Sequence, residues 1–260
     1  MRYKLFKEIA DSALFGSFMK ADPIPRQGRP TREDRMNTGT TILAFQYKDG
    51  ILLGADRKTS FGYIRTKSLE TIKIHRVSPL TCVAFAGVVS DAQCLLDLLI
   101  RVNKSFYSRY GQMLTVGGQV NFLSKHIRCY CAENEQFTAE VIIAGCTLAG
   151  EFEIYEIGLD GAKYKFDYVT LGSGGDDAES VLHESRKLIR DKTLTFEQAL
   201  NLATRALYKS GVKDNCSGDL RMACPSIATI TVDNGAQFID NEVIRKERDA
   251  VVREEESKDV

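Results

Sequence analysis

The chain has 260 residues, 43% of them hydrophobic, which is enough to bury one substantial core or two small ones. Its 35 basic and 35 acidic residues give a formal net charge of zero. That balance excludes a global field able to recruit nucleic acid or an anionic membrane, and the length favours one domain with tails.

Residues 1–39 are predicted to be a leader without a core of its own. Charged residues interrupt the apolar side chains Leu5, Phe6 and Ile9, which argues against a secretory signal peptide. Prolines, glycines and arginines follow over residues 21–37, a composition typical of an extended linker. A tail that is never processed is the alternative interpretation of the same segment.

Two strands joined by a tight turn are predicted directly after the leader. Residues 42–47 and 51–56 are mostly apolar, and the Asp-Gly pair between them is a strong hairpin signal. Pairing of the two strands brings Asp56, at the end of the second, close to Thr40, at the start of the first.

The next predicted strand is only half buried. Residues 71–77 alternate apolar and polar side chains, which is typical of a strand with one face on a core. Ile72 and Ile74 are expected on the buried face, and Lys73 and His75 on the opposite face.

Two consecutive helices are predicted after an apolar strand at residues 81–86. Ser90 and Asp91 are the expected N-cap of the first helix, which runs toward Tyr110. Two helices after four strands indicate a helical layer over a sheet. The second helix follows Thr115 and has an apolar face made of Val116, Val120, Leu123, Ile127 and Cys131.

Strands and helices alternate again in the second half of the chain. The glycine-rich segment 172–175 lacks the rest of a phosphate-binding motif, so a nucleotide site is not favoured. From residue 241 onward charged residues dominate, which predicts a helical or frayed, exposed tail. Strands are predicted over residues 140–144, 152–157, 163–169, 226–232 and 236–239, and helices over residues 177–190 and 196–210.

The seven cysteines are an odd number, and none of them has a C-x-x-C or paired histidine spacing. That argues against a disulfide framework and against a zinc site, and it favours a reducing compartment. No apolar run approaches the ~20 residues that a membrane-spanning helix needs.

The Gly39-Thr40 bond is a candidate site of self-cleavage. Attack of the Thr40 hydroxyl on the Gly39 carbonyl would convert the amide to an ester, and hydrolysis would leave Thr40 with a free α-amino group. Such an amine has a pKa of about 7.7–8.0, so its neutral form can act as a base near neutral pH without a histidine. The dipeptide alone predicts a turn, and only its neighbourhood favours the nucleophile.

The order of elements behind Gly39-Thr40 resembles the proteasome beta-subunit family. The resemblance implies an α+β fold, a four-layer α-β-β-α sandwich of two antiparallel sheets known as the N-terminal nucleophile hydrolase fold. It also implies a propeptide at residues 1–39, a catalytic domain at residues 40–240 and a charged tail at residues 241–260. The matching segments are Thr38-Gly39-Thr40-Thr41, Asp49-Gly50, Gly54-Ala55-Asp56, Ile72-Lys73-Ile74, residues 86–93, Gly172-Ser173-Gly174 and residues 214–218.

The resemblance assigns catalytic roles to seven residues. Thr40 is the implied nucleophile and its own amine the base, and Lys73 lies beside them as a positive charge that lowers the pKa of both groups. Asp56 pairs with that lysine, and the backbone N–H of Gly87 is the implied oxyanion donor. Ser173, Asp214 and Ser217 are expected to hydrogen-bond around the amine.

Each of these residues also has an ordinary structural interpretation. Asp56 and Lys73 could form a plain surface ion pair, and Ser173 could be a turn residue. The loop after Ser217 departs from the family pattern, because Asp219 stands where the family usually has a second glycine. That departure weakens the assignment at Ser217 more than the assignment at Thr40.

The implied first substrate pocket is lined by Thr59, Thr71, Phe85 and Val89. Phe85, two residues before the implied oxyanion donor, would form an apolar floor. The expectation is therefore cleavage after hydrophobic residues rather than charged ones.

The overall hypothesis is a threonine endopeptidase subunit of the 20S proteasome core, self-processed at Gly39-Thr40, which degrades unfolded polypeptides in the cytoplasm. The implied partners are other beta subunits in a seven-membered ring, alpha-subunit rings and a regulatory ATPase. No cofactor, metal, nucleic acid or membrane is implied. A structural subunit with an uncleaved leader, and a small-molecule amidase of the same fold, are the alternatives.

Overall fold

The computed structural model describes residues 39–61, 65–132, 138–214 and 217–257. The chain divides into two units, residues 1–35 and 36–260, and all described residues belong to the second unit. The predicted leader therefore lies outside the described residues, apart from Gly39.

The described residues form strands and helices in the predicted alternation. In chain order they are β1 (Ile42–Tyr47), β2 (Gly50–Ala55), β3 (Thr59–Phe61), β4 (Arg65–Ser68), β5 (Ile74–Ser78), β6 (Thr81–Gly87), α1 (Val89–Tyr110), α2 (Val116–Ala132), β7 (Ala139–Cys146), β8 (Phe152–Ile157), β9 (Lys163–Phe166), β10 (Tyr168–Leu171), α3 (Gly175–Glu184), α4 (Arg186–Arg190), α5 (Phe196–Lys213), β11 (Ser226–Thr231), β12 (Gly235–Phe238) and α6 (Asn241–Glu256).

Two five-stranded antiparallel sheets organise the fold. The first sheet has the order β10-β1-β2-β11-β12, and the second has the order β5-β6-β7-β8-β9. Strands β3 and β4 form a separate hairpin, which falls in a segment without a predicted strand. The turn predicted at Asp49-Gly50 is confirmed, since β1 pairs with β2, and the strands predicted over residues 226–232 and 236–239 pair as β11 and β12 across Asn234-Gly235.

The sheets pack face to face between two layers of helices. Because side chains alternate along a strand, Leu43 and Phe45 of β1 pack against α3 and α5, whereas Ile42 and Ala44 face the second sheet. Burial on both faces explains why β1 is apolar from Ile42 to Phe45. Helices α1 and α2 cover the other side of the second sheet. The predicted four-layer sandwich is confirmed.

Residues 163–169 were predicted as one strand, and that prediction is wrong. The segment contains two strands in different sheets, because β9 pairs with β8 and β10 pairs with β1. The chain crosses between the sheets at Asp167, whose carbonyl accepts a hydrogen bond from the Gln46 N–H at 3.1 Å. Apolar and polar residues alternate from Lys163 through Asp167 to Tyr168, so the sequence pattern carries no sign of the crossover at Asp167.

The strand predicted over residues 71–77 begins only at Ile74. Lys73 is buried and Ile72 is 58% exposed, the reverse of the burial expected for these two residues. The Lys73 carbonyl still accepts the Phe85 N–H of β6 at 3.1 Å, whereas the Thr71 N–H is bound by the Arg57 carbonyl in the loop after β2. A buried carboxylate partner offsets the cost of burying the lysine.

Three helix predictions need correction. The helix at residues 177–190 is two helices, which meet at Ser185. The N-cap of α1 is Val88, because the Asp91 carboxylate instead binds the Thr138 N–H and hydroxyl at 3.0 and 2.9 Å. The tail from residue 241 is a helix, α6, as one of the two predicted forms has it, but it is not exposed throughout, because Ile244 and Val251 are buried against α5 and its neighbours.

Candidate active site

The two sheets bring four chain segments to one edge of the sandwich. Ile42 of β1 pairs with Ala55 of β2 and with Leu171 of β10, so the residues beyond these pairs lie around Thr40. Lys73 approaches from the second sheet, directly before β5. Sheet register therefore explains why residues far apart in sequence converge at this edge.

Thr40 is buried at the start of β1, with its peptide bond to Gly39 also buried. Its hydroxyl lies 2.8 Å from the Gly39 carbonyl oxygen. The turn at Gly172 packs against the other side, and its φ of +92° is unfavourable for side-chain-bearing residues. A Cβ at Gly172 would lie 2.2 Å from the Thr40 carbonyl oxygen, so this approach requires glycine.

The Lys73 ammonium connects Thr40 to Asp56. Its Nζ lies 3.0 Å from Thr40 Oγ1 and 2.8 Å from Asp56 Oδ1, and it also donates to the Gly39 carbonyl at 3.4 Å. Burial lowers the pKa of Lys73 from its ordinary value, and the attraction and hydrogen bond of Asp56 oppose that shift only in part. Burial and Asp56 thus act on the Lys73 pKa in opposite directions, and the ion pair with Asp56 holds the ammonium beside the Thr40 hydroxyl.

Asp56 is fixed by donors on both of its carboxylate oxygens. Besides Lys73, the Thr41 N–H donates to Oδ1 at 2.7 Å. The N–H groups of Lys58 and Gly218 donate to Oδ2 at 3.0 and 2.9 Å. With this many donors a carboxylate can be buried as a charge, so the pair is not the plain surface ion pair of the alternative interpretation.

On the opposite side of Thr40, the predicted outer group is assembled. Ser173 Oγ accepts the Thr40 N–H at 3.2 Å and donates to Asp214 Oδ2 at 2.5 Å. Ser217 donates to the same carboxylate oxygen at 2.7 Å. The three residues come from the turn after β10, the end of α5 and the loop that follows α5.

A cleft beside Thr40 contains all four predicted substrate-binding residues. It encloses about 520 Å³ of space, part of it open to solvent, and Lys73 and Gly87 also line it. Gly87 ends β6 with φ of +104°, and a Cβ there would lie 1.9 Å from the Thr138 carbonyl oxygen. Thr59, Thr71, Phe85 and Val89 form part of its wall.

Comparison with known proteins matches this architecture to one family. The family model described as "Proteasome subunit" matches residues 36–222. The chain belongs to the proteasome subunit family. It is 31% identical over 201 residues to proteasome subunit beta 1 of Pyrococcus furiosus, covering 75% of this chain and 94% of that protein. It is 34% identical over 212 residues to proteasome subunit beta 2 of Thermomonospora curvata, covering 79% and 74% respectively.

Five further residues of this proteasome subunit line the cleft without having been predicted. His75 lies two residues after Lys73, and its ring centroid is 6.3 Å from that of Phe85. Ala92, Gln93 and Leu96 follow Val89 at helical spacing along α1, so the period of the helix carried the missing signal. Ile72 is the fifth residue.

Two buried hydroxyls were also missed. Thr41 Oγ1 lies 2.6 Å from Ser210 Oγ and 2.8 Å from Ser217 Oγ. Ser210 is separated from Thr41 by 169 positions in the chain, and no local motif signals the contact.

Asp219, the departure from the family pattern, has a local structural role. Its carboxylate binds the Arg221 guanidinium through both oxygens, and its carbonyl accepts the N–H groups of Met222 and Ala223. Among the described non-glycine residues only Lys192 has a positive φ, so the backbone at Asp219 does not require glycine. The substitution leaves the Ser217 contacts in place.

Over the residues that the structure covers, no group of three or more His, Cys, Asp and Glu side chains is arranged to hold a metal ion. No helix in that part of the chain is both long enough and apolar enough to cross a membrane.

Proposed function

We propose that this chain is a threonine endopeptidase subunit of the proteasome core particle, activated by cleavage of its own Gly39-Thr40 bond. One observation carries the proposal: Lys73 Nζ lies 3.0 Å from the Thr40 hydroxyl oxygen and 3.4 Å from the Gly39 carbonyl oxygen. The buried Lys73 ammonium therefore contacts both the Thr40 hydroxyl and the Gly39 carbonyl that this hydroxyl would attack.

Self-cleavage proceeds by transfer of the Gly39 acyl group from nitrogen to oxygen. The Thr40 Oγ–carbon bond forms, the carbon–nitrogen bond breaks, and the hydroxyl proton passes to the threonine nitrogen. Lys73 stabilises the negative charge that develops on the Gly39 oxygen. Water then hydrolyses the ester, which leaves a carboxyl group on Gly39 and a free amine and hydroxyl on Thr40.

Substrate hydrolysis repeats this chemistry on another chain. The Thr40 amine removes the hydroxyl proton, the hydroxyl oxygen attacks the substrate carbonyl, and the proton passes to the departing amine. Water then hydrolyses the acyl-enzyme ester and restores Thr40. The Gly87 N–H is proposed as the donor to the oxyanion, and Lys73 favours the neutral form of the amine and the ionised form of the hydroxyl.

Ser173 is proposed to orient the amine. Its hydroxyl donates to Asp214, so its oxygen is available as the acceptor of a Thr40 N–H. Directing that N–H toward Ser173 leaves the nitrogen lone pair for the threonine hydroxyl.

The cleft supports a preference for cleavage after hydrophobic residues. Phe85 and Val89 contribute apolar surface, joined by Leu96 and Ala92 of α1. No Asp or Glu lines the cleft as described, so a basic substrate side chain would meet no opposite charge.

We further propose that the chain assembles with other beta subunits into a seven-membered ring between alpha-subunit rings, within the cytoplasm. The relatives named above are beta subunits, which supports this assembly. Enclosure in a chamber would restrict the protease to unfolded polypeptides delivered by a regulatory ATPase.

The intact mass of the chain after co-expression with its alpha partner tests the proposal. We expect a mature species that begins at Thr40, which Thr40→Ala abolishes and Thr40→Ser, as the matched control, retains at least in part. A full-length chain in assembled wild-type particles would contradict self-processing and favour the structural-subunit alternative.

A further inference from the structure

We propose that Thr41 is a positioning residue that couples the two carboxylates of the active site, and that Ser210 acts through it. The inference rests on the proposed function, because the two carboxylates hold opposite sides of Thr40. Neither residue is among the seven to which the resemblance assigns a catalytic role.

Thr41 binds Asp56 directly through its backbone, and its side chain is linked to Asp214 through Ser217. Its backbone N–H donates to Asp56 Oδ1 at 2.7 Å, and its carbonyl accepts the Asp56 N–H at 3.1 Å. Its side chain points the other way, toward α5, as Leu43 does two residues later. There its hydroxyl meets Ser210 and Ser217, and Ser217 contacts Asp214.

The number of protons fixes the direction of these hydrogen bonds. Each hydroxyl has one proton to donate, and Ser217 gives its proton to the Asp214 carboxylate. The contact between Thr41 and Ser217 therefore uses the Thr41 proton. The contact between Thr41 and Ser210 must then use the Ser210 proton.

The result is a one-way chain of donors from Ser210 through Thr41 and Ser217 to Asp214, which we name the hydroxyl chain. All three hydroxyl residues are at most 1% exposed, so water does not compete for these contacts. Asp214 also receives the Ser173 proton, which commits the Ser173 oxygen to accepting from the Thr40 nitrogen. Through these contacts the hydroxyl chain orients the nitrogen that serves as the base.

Gly174 packs directly against the three hydroxyls of the hydroxyl chain. A Cβ at Gly174 would lie 2.3 Å from Thr41 Oγ1, 2.7 Å from Ser210 Oγ and 2.8 Å from Ser217 Oγ. Gly174 has φ of −95°, a conformation open to any residue, so its backbone does not require glycine. Glycine is required because the three hydroxyl oxygens leave no space for a Cβ at this position.

Substitutions at Thr41 test the positioning role in the assembled full-length chain. Thr41→Val removes the hydroxyl at nearly constant volume, and we expect kcat to fall about tenfold with KM little changed. Thr41→Ser restores the hydroxyl and should recover most of the rate. A Thr41→Val enzyme with wild-type kcat, or a Thr41→Ser enzyme as slow as Thr41→Val, overturns the proposal.

Ser210 is tested by a double-mutant cycle. Because Ser210 donates only through Thr41, Ser210→Ala should lower kcat and the unfolding temperature in the wild-type background and have little further effect in Thr41→Val. Equal losses in both backgrounds overturn the hydroxyl chain. Gly174→Ala should lower kcat as Thr41→Val does, whereas Gly117→Ala, on α2 with nothing within 4 Å of the added carbon, is the matched control.

The failure of this inference is distinguishable from the failure of the proposed function. A wild-type chain that assembles but hydrolyses no peptide contradicts the threonine protease. The coupling of Thr41 and Ser210 in unfolding temperature remains measurable in that case, and its presence or absence decides whether the hydroxyl chain exists.

Discussion

The Lys73 ammonium lies 3.0 Å from the Thr40 hydroxyl oxygen, although Lys73 enters the second sheet and Thr40 enters the first. The contact between Lys73 and Thr40 therefore depends on the correct stacking of the two sheets. Any shift of one sheet over the other would separate the cation from the nucleophile before it disrupted either sheet.

Removal of that cation should abolish most of the activity. Lys73→Ala leaves the Thr40 hydroxyl without its charged neighbour, and we expect peptide hydrolysis to fall by at least about 100-fold. Self-cleavage at Gly39 should slow as well. Intact mass and fluorogenic peptide assays measure the two effects, with Lys165→Ala, an exposed ion-pair residue of β9, as the control. Unchanged processing in Lys73→Ala would contradict the proposed role.

Truncation of the cleft floor should change substrate preference. Phe85→Ala removes apolar surface next to the bound side chain, so discrimination in favour of large hydrophobic residues should fall about 10- to 200-fold in kcat/KM, the scale of one to three kcal/mol. A peptide panel that varies the residue before the cleaved bond measures the change. Phe166→Ala, on exposed β9, should leave the preference intact. A wild-type enzyme that cleaves mainly after lysine or glutamate would contradict the assignment of the floor.

His75 should make stability depend on pH. Burial lowers the pKa of His75 below its ordinary value of 6.5, so the unfolded chain binds a proton there before the folded chain does. Its contribution to stability is therefore full above about pH 6.5 and declines as the pH falls toward the folded value. Replacement by leucine should flatten the unfolding temperature over this acidic range. An identical acid decline in His75→Leu would show that other groups cause it.

The last helix should contribute to the stability of the domain. Ile244 lies on the buried face of α6, and Ile244→Ala should lower the free energy of unfolding by about 2–5 kcal/mol. Its neighbour Val243 is 45% exposed, which makes Val243→Ala a matched control expected to cost well under that amount. Thermal unfolding of both variants measures the difference. Equal effects would mean that α6 does not depend on its buried face.

The sequence predicts the parts of this fold that follow from local pattern. Apolar strands such as β1 and the turn at Asp49-Gly50 are confirmed, since each depends on neighbouring residues. The crossover at Asp167 and the buried face of α6 were missed. In the first case the alternation of apolar and polar residues continues past Asp167 to Tyr168, and in the second the few apolar residues of α6 lie in two short groups in an otherwise charged segment.

In the candidate site too, contacts of motif residues were predicted, and contacts that depend on long-range packing were missed. Residues within family motifs, such as Asp56 and Ser173, lie around Thr40 as expected. Thr41 and Ser210 were missed because their contact depends on how α5 packs across β1, which no motif encodes. Lys73 and His75 share a face opposite Ile74 as predicted, but that face lines the cleft, so Lys73 is buried instead of exposed.

The hydrogen bond between the Asp56 carboxylate and the Gly218 N–H joins residues 162 positions apart, so the site depends on a part of the chain that is synthesised late. Strand β2 also needs β11, from the last quarter of the chain, as its neighbour. Because such distant pairings make folding slow, the site can form only after nearly the whole chain has been synthesised. The proposed self-cleavage therefore cannot occur early in synthesis, and the order of synthesis itself delays the appearance of the proposed protease.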